Sequence, residues 1–367
     1  MIAVNEPLLN GNEKKYLNEC IDTGWISSEG PFVKKLEEQF AAKNNRKYGV
    51  AVCNGTAALE IAVEALGITK DDEVIMPAFT IISCASAIIK MGAKPVLVDS
   101  DLQTWNMDVN QIEAKITSKT KAIMVVHIYG LPVDMDTVID IAKRHHLKII
   151  EDAAEAHGQT YKGKACGSFG DISVFSFYPN KLITTGEGGM VLTDDTRLAE
   201  RCKSLRNLCF TSKRFVHEEL GWNMRMTNLQ AALGVAQLER WDEFIGIKKK
   251  MGKLYTSLLK DEKNISIPTE KTAYAENMYW VFGVISENKS VNAEMLMKKL
   301  AEKEIGTRPF FYPMHLQPVF KKMGLFIGES YPNAEKMYEY GFYLPSGLAL
   351  TDAQIKEVAK TLKSLLN

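Results

Sequence analysis

Lys181 stands between an apolar, aromatic run and a glycine-rich turn, in the stretch Phe175-Ser176-Phe177-Tyr178-Pro179-Asn180-Lys181 followed by Leu182-Ile183-Thr184-Thr185-Gly186-Glu187-Gly188-Gly189-Met190. Most lysines are solvated, and alone this one would be read so. A lysine drawn out of water has a lowered pKa, becomes a usable base and can form an imine. Upstream, Ile149-Ile150-Glu151-Asp152-Ala153-Ala154-Glu155 ends an apolar strand in acid. A buried Asp152 costs free energy unless paired, and a protonated pyridine nitrogen is one such partner. Lysine and aspartate together are what pyridoxal phosphate asks of a protein. The ordinary alternative for Asp152 is a helix cap, and for Glu155, three residues on, a first-turn glutamate.

Asn54-Gly55-Thr56-Ala57 joins a strand to a helix, where small residues let backbone amides face a phosphate; a plain N-cap is the ordinary alternative. Ser176, inside its apolar run, needs a partner for its hydroxyl, either a phosphate oxygen or a neighbouring carbonyl. Two later segments carry further polar chemistry: Gly221-Trp222-Asn223-Met224-Arg225-Met226-Thr227-Asn228, and the proline-stiffened Arg308-Pro309-Phe310-Phe311-Tyr312-Pro313-Met314-His315. Arginine suits phosphates, and aromatics suit bases and sugars.

The elements that must position these residues alternate. Strands are expected at 48–53, 73–76, 95–99, 122–127 and 147–152, and helices at 56–66, 82–91, 109–116 and 135–145. That rhythm predicts an α/β fold with a mainly parallel sheet flanked by helices. Strands at 171–177 and 189–193 follow with no helix between them, which implies an antiparallel hairpin and brings the sheet to seven strands. Ligands on such sheets sit at the carboxyl ends of the strands. Helices are expected at 196–205, 227–241 and 242–259. A smaller C-terminal α+β domain follows, with a strand at 278–285 and helices at 293–303 and 354–366. The boundary is placed near residue 245, giving domains 1–245 and 246–367, with the first residues packing on the smaller one.

At 367 residues the chain suits two domains. Lys+Arg and Asp+Glu are equal at 45 each, which argues against nucleic acid or anionic lipid as a partner. Six scattered cysteines form no CxxC pair, and the six histidines make no metal motif; free thiols in a reducing cytoplasm are expected, with no metal. His145-His146 suits a helix C-terminus. No apolar run approaches the ~20 residues of a membrane span, and the polar start at Met1-Ile2-Ala3-Val4-Asn5 is unlike a signal peptide.

The ordered set of motifs, joined by Gly24-Trp25-Ile26-Ser27-Ser28, Asp72-Glu73-Val74-Ile75-Met76-Pro77, His127-Ile128-Tyr129-Gly130 and Phe169-Gly170-Asp171, resembles the DegT/StrS-type family of nucleotide-sugar aminotransferases, a branch of the fold-type I pyridoxal phosphate enzymes. The resemblance covers essentially the whole chain and is nearest to the GDP-perosamine synthases, which aminate C4 of GDP-4-keto-6-deoxymannose. It implies an aspartate-aminotransferase-like fold, a homodimer with active sites at the subunit interface, and L-glutamate as amino donor, leaving as 2-oxoglutarate. Lys181 would be the imine-forming lysine and proton shuttle, with Asp152 on the pyridine nitrogen and Glu155 near the 3-hydroxyl. Gly55, Thr56, Ala57 and Ser176 would hold the phosphate, with Asn223 reaching it from the other subunit. Trp25, Ser27, Ser28, Arg225, Phe311, Tyr312 and His315 would surround the sugar nucleotide.

Two places depart from the pattern. Ile81 stands where the family usually has a ring stacked on the cofactor, so that either Ile81 covers it or Phe79 shifts. Tyr178-Pro179-Asn180 replaces the Phe-Gly-Asn of the perosamine enzymes. A C3 amination or a UDP- or dTDP-linked sugar is the alternative within the family. A sugar dehydratase would carry histidine in place of Lys181, and a non-catalytic cofactor-binding regulator is the remaining reading.

Overall fold

The structure, a computed structural model, describes residues 1–213 and 215–366. Two helices open the chain, α1 (Glu13–Thr23) and α2 (Pro31–Lys43), the second started by a proline in its first turn. Strands and helices then alternate: β1 (Tyr48–Val52), α3 (Gly55–Ala65), β2 (Glu73–Pro77), α4 (Ile82–Lys90), β3 (Lys94–Val98), β4 (Thr120–Val126), α5 (Met135–Arg144) and β5 (Lys148–Asp152). A small hairpin, β6 (Thr160–Tyr161) and β7 (Lys164–Ala165), precedes β8 (Ile172–Ser176) and β9 (Gly189–Thr193). Next come α6 (Thr196–Arg206), α7 (Asn228–Leu238) and α8 (Trp241–Leu259).

The seven large strands form one sheet in the order β1-β9-β8-β5-β4-β2-β3. β2, β3, β4, β5 and β8 pair in parallel, while β9 lies antiparallel between β8 and β1. The expected hairpin is therefore present. It has a consequence for the site: because β9 reverses, the β8–β9 connection emerges at the carboxyl edge of the sheet, among the ends of the parallel strands. Central strands are buried on both faces, as β2 and β9 show along their whole length. One face packs on α2 and α7, where Phe40 is fully buried against the edges of Phe175, Phe177 and Trp241. A phenylalanine so enclosed contributes about 2–3 kcal/mol through burial.

The remainder holds a four-stranded antiparallel sheet of β10 (Ile265–Ser266), β11 (Phe282–Ser286), β12 (Arg308–Pro309) and β13 (Gly341–Leu344), in the order β10-β11-β13-β12. Around it lie α9 (Ala293–Ala301), α10 (Pro318–Lys322), α11 (Pro332–Tyr340) and α12 (Asp352–Leu366). Ile2 packs in this second core and exchanges backbone hydrogen bonds with Glu304 and Gly306. Residue 245 lies inside α8, which runs unbroken from the large sheet's flank to the second core.

Three expectations change. The stretch 109–116 forms two single 3-10 turns, Val109–Gln111 and Glu113–Lys115, since Asp108 caps the first and Ile116 returns to extended backbone. The helix expected over 227–241 ends at Leu238, and α8 begins at Trp241. The strand expected from 278 begins at Phe282, because Tyr279 takes a φ of 57°. That irregular approach turns Trp280 toward the large sheet, where its indole Nε1 donates to the Asn180 carbonyl at 2.8 Å.

Candidate active site

A cleft of about 880 Å³ opens at the carboxyl edge of the large sheet, closed on its far side by Trp280, Arg308, Phe311 and Tyr343. Of the residues singled out in the sequence, Gly55, Thr56, Ala57, Ile81, Asp152, Glu155, Ser176, Lys181 and Phe311 all line it. Strand ends deliver most of them, and the reversal at β9 delivers Lys181.

The Lys181 loop is fixed by the Phe177 and Lys181 amides, which donate to the carbonyls of Gly188 and Tyr178 at 2.8 and 2.9 Å, and by the Thr184 hydroxyl, which donates to the Phe177 carbonyl. Of the glycines in this turn only Gly186 takes a positive φ, 78°. Gly189 is small for another reason: a Cβ there would meet the Asn54 carbonyl oxygen at 2.5 Å. The turn thus needs close approach more than left-handed backbone.

Lys181 Nζ lies 3.6 Å from Glu155 Oε1 and 3.9 Å from the centre of the Trp280 ring. Burial lowers the Lys181 pKa, against the pull of Glu155 and Asp152. Burial also raises Glu155, to about 7, although Lys181 and the Tyr129 amide, which donates to Oε2 at 2.8 Å, favour its charge. Both groups are therefore pushed toward their neutral forms, which leaves an amine able to attack or take a proton.

Asp152 ends β5 with a side chain buried to 2 % exposure. Its neighbour Glu151 points to the opposite face, as alternate strand residues must. There His127 Nδ1 accepts from the Val133 amide, so Nε2 carries the proton and donates to Glu151 at 2.9 Å. Glu151 also accepts from the amides of Phe169 and Gly170, which makes it an anchor for that loop. On the cleft face, Asp152 Oδ1 accepts from the Ala154 amide at 3.0 Å and Oδ2 from the Cys84 thiol at 3.3 Å. Burial raises the pKa of Asp152, so the bare site works against a charge it can keep only opposite a cation.

At the other end of the cleft, Asn54 Oδ1 accepts from the Ala57 amide at 2.8 Å and caps α3, worth about 1 kcal/mol. Among the described residues no protein acceptor takes up the amides of Gly55 and Thr56. A Cβ on Gly55 would lie 2.8 Å from the Ser176 Cβ, so the missing side chain lets the serine sit directly against the helix start. Unpaired amides, the α3 dipole and the Ser176 hydroxyl make this end a fit for a phosphate. Together with Lys181, Asp152 and Glu155 in one cleft, the residues present fit pyridoxal phosphate.

Ile81 is 43 % exposed at the start of α4. Phe79 has not shifted to replace a ring there: it is fully buried, packed against Tyr129, Phe310 and Phe311. Trp25, Ser27, Ser28, Asn223, Arg225, Tyr312 and His315 do not line the cleft of the single chain. The Trp25 and Ser27 carbonyls accept from the Asn228 side-chain and backbone N–H, and Arg225 donates to Asn223 and Asn207. Tyr312 packs edge-on to Tyr338. His315 is buried to 1 % exposure, with Nε2 bonded to Glu335 at 2.9 Å.

Sequence reasoning missed Cys84, Trp280 and Tyr343, which reach the site only through tertiary packing. Asn180 and Arg308 stood inside segments already singled out, but nothing in their spacing separated them from their neighbours. All six cysteines are free, and among the described residues no group of histidine, cysteine or acidic side chains could hold a metal. No helix among the described residues is long and apolar enough to cross a membrane.

The raised Glu155 carboxyl gives a pH prediction. Between its ordinary value of 4.5 and about 7 the folded protein holds a proton that the unfolded chain releases, so this stability is full below 4.5 and lost as pH rises through 7. In the cofactor-free protein, Glu155→Gln should gain on wild type as pH goes from ~5 to ~8, by at most about 3 kcal/mol. Paired melting curves across that range read it; a constant gap between the two proteins would contradict it.

A model of the DegT/DnrJ/EryC1/StrS aminotransferase family matches residues 7–363. A GDP-perosamine synthase of Escherichia coli O157:H7 is 44 % identical over 365 residues, 98 % of this chain and 97 % of that protein. A GDP-perosamine synthase of Vibrio cholerae is 40 % identical over the full length of both. Among solved structures, the PLP form of the putative sugar aminotransferase Spr1654 of Streptococcus pneumoniae superposes with a TM-score of 0.92 at 27 % identity, over 99 % of this chain and 97 % of that one.

Proposed function

The chain belongs to the DegT/DnrJ/EryC1/StrS aminotransferase family and is a pyridoxal phosphate-dependent aminotransferase; from that premise we propose that it converts GDP-4-keto-6-deoxymannose to its 4-amino-4,6-dideoxy product with L-glutamate as donor. The observation that carries the reading is the meeting of Lys181, Asp152 and Glu155 at one cleft, in a chain 44 % identical to a GDP-perosamine synthase over 98 % of its length.

When bound, pyridoxal phosphate supplies an electron sink for the carbon that loses or gains a proton. The chain's own residues do the rest. The Gly55 and Thr56 amides and the Ser176 hydroxyl hold a phosphate at the α3 end, and Asp152 offers its carboxylate to a ring cation at the β5 end. Lys181 Nζ, pushed toward its neutral form by burial, would be the nucleophile that anchors the cofactor. It then holds the proton taken from the donor Cα and returns it on the sugar side, so one amine serves both halves of the exchange. Glu155 takes up or releases a proton beside it, and the Trp280 indole keeps water from Nζ. Ile81 gives aliphatic cover above the ring site.

Trp25, Ser27, Ser28, Asn223 and Arg225 lie outside the single-chain cleft and belong, in this reading, to a cytoplasmic homodimer in which the partner's copies complete each site. The chain divides into a cofactor-binding domain, 1–245, and a smaller domain, 246–367.

The test is a panel of GDP-, UDP- and dTDP-linked ketosugars with glutamate, read by mass and NMR of the product. The GDP-linked 4-ketosugar should lead in kcat/KM by about tenfold or more. A UDP- or dTDP-linked sugar in first place, or an amine at C3, would replace the substrate while leaving the reaction class.

A further inference from the structure

Lys248 is buried to 1 % exposure in the middle of α8 and does not line the cleft. Burial pushes its pKa down to about 7, and among the described residues it has no ion-pair partner. Its Nζ donates instead to two main-chain carbonyls, that of Trp280 at 2.7 Å and that of Ser346. A lysine left unpaired in a core costs free energy that an apolar side chain of similar length would not. Packing alone therefore does not explain it.

Both carbonyls belong to segments outside the regular pairing of the second sheet. Trp280 lies in the irregular approach to β11, and Ser346 just past the end of β13. One face of α8 holds the two segments, because residues 248, 252 and 255 fall on the same side of a helix. Gly252 lacks the side chain whose Cβ would overlap the Tyr279 ring, so that ring packs directly on the helix. The Tyr255 hydroxyl donates to the Pro345 carbonyl at 3.0 Å, and the Ser346 hydroxyl oxygen accepts from the Phe282 amide at 2.9 Å. Trp280 is thus pinned at two points. Lys248 holds its main chain, and the carbonyl of Asn180 holds its indole N–H, with the ring centre 3.9 Å from Lys181 Nζ.

We propose that Lys248 is a positioning residue for the reaction: it ties the Trp280 main chain to α8 and so fixes the indole over the Lys181 amine. The inference rests on the aminotransferase reading. Charged or neutral, the Lys248 amine has the two N–H donors that the carbonyls take, so the tie does not depend on its charge. An amine that takes a proton from one substrate and returns it to the next needs a fixed surrounding, and an indole free to swing lets water reach it.

The experiment compares wild type, Lys248→Met, Lys248→Gln, Trp280→Leu and the double variant of Lys248→Met with Trp280→Leu. Methionine keeps the length and removes the donors, whereas glutamine keeps donors for one carbonyl. In the glutamate half-reaction, followed by cofactor absorbance, Lys248→Met should lower the limiting rate about tenfold and move the apparent Kd by less than about threefold. Lys248→Gln should fall between. In the cofactor-free protein, acetylation of Lys181 by acetic anhydride across pH, read by mass spectrometry, gives the midpoint at which Nζ loses its proton. Asp152, Glu155, Cys84 and His157 lie around that amine and are the same in every variant. Burial is the largest cause of its lowered pKa, so water admitted past a loosened indole should carry the midpoint up by about one pH unit. On the Trp280→Leu background, Lys248→Met should change neither reading further. An unchanged rate and midpoint in Lys248→Met overturns the proposal, and so does a further change of the same size on the Trp280→Leu background. If Lys248→Met does not fold, Lys248→Gln decides by the same readings. A wild type that does not react with glutamate overturns the aminotransferase reading, and the acetylation midpoint then still decides whether Lys248 positions Trp280.

Discussion

Replacing Lys181 by alanine should leave a folded protein whose turnover falls by about 10⁴-fold or more. The size of the effect follows from the double duty of one atom. Nζ both anchors the cofactor and moves the proton, and among the described residues no other lysine lines the cleft to take over either role. Stability should change little. Nζ touches Glu155 at 3.6 Å and the Trp280 ring, contacts worth about 1–2 kcal/mol, and Glu155 answers the loss by staying protonated near neutral pH. Circular dichroism and melting curves establish the fold, and glutamate-dependent product formation reads the loss. A variant within tenfold of wild type would remove Lys181 from the chemistry.

Asp152→Asn should separate function from stability. The change keeps the shape and removes the charge, so the ring cation loses its partner, and kcat should fall by about 10²- to 10³-fold with weaker cofactor retention. The cofactor-free protein should be as stable as wild type or more so. Burial already raises the pKa of Asp152, and among the described residues its donors are the Ala154 amide and the Cys84 thiol. Removing an unfavourable buried carboxylate costs nothing until the cofactor arrives, the pattern expected where a site stores strain for its task. Parallel measurement of apo melting temperature and kcat tests both halves. A clear loss of apo stability would mean that the charge is already compensated within the chain.

Much of the frame was legible because it is periodic. Alternating strands and helices gave the parallel sheet, and the two strands flanking Lys181 without a helix between them gave the reversal that carries the lysine to the carboxyl edge. Short segments without periodicity were not legible. Residues 109–116 have apolar spacing suited to a helix, yet Asp108 closes the first turn locally. Tyr279 takes left-handed backbone that no pattern announces, and Trp280 reaches Lys181 because of it.

The site divides the same way. Residues at strand ends and at the start of α3 could be read from motifs, since topology alone puts them at one edge. Tyr343 and Arg308 come from the second sheet and Trp280 from the irregular approach to it, and their place depends on how the two cores pack. The burial of His315 and its bond to Glu335 were likewise not legible, since a histidine beside aromatics in sequence carries no sign of its tertiary partner.

Everything proposed for the cleft depends on Lys181 being the residue that carries the cofactor. Borohydride reduction of the pyridoxal phosphate-loaded protein, followed by proteolysis and mass spectrometry, tests it most directly. One modified lysine is expected, Lys181, in the peptide that spans the β8–β9 connection. Modification at another lysine, or a loaded protein that reduction leaves unlabelled, would contradict it.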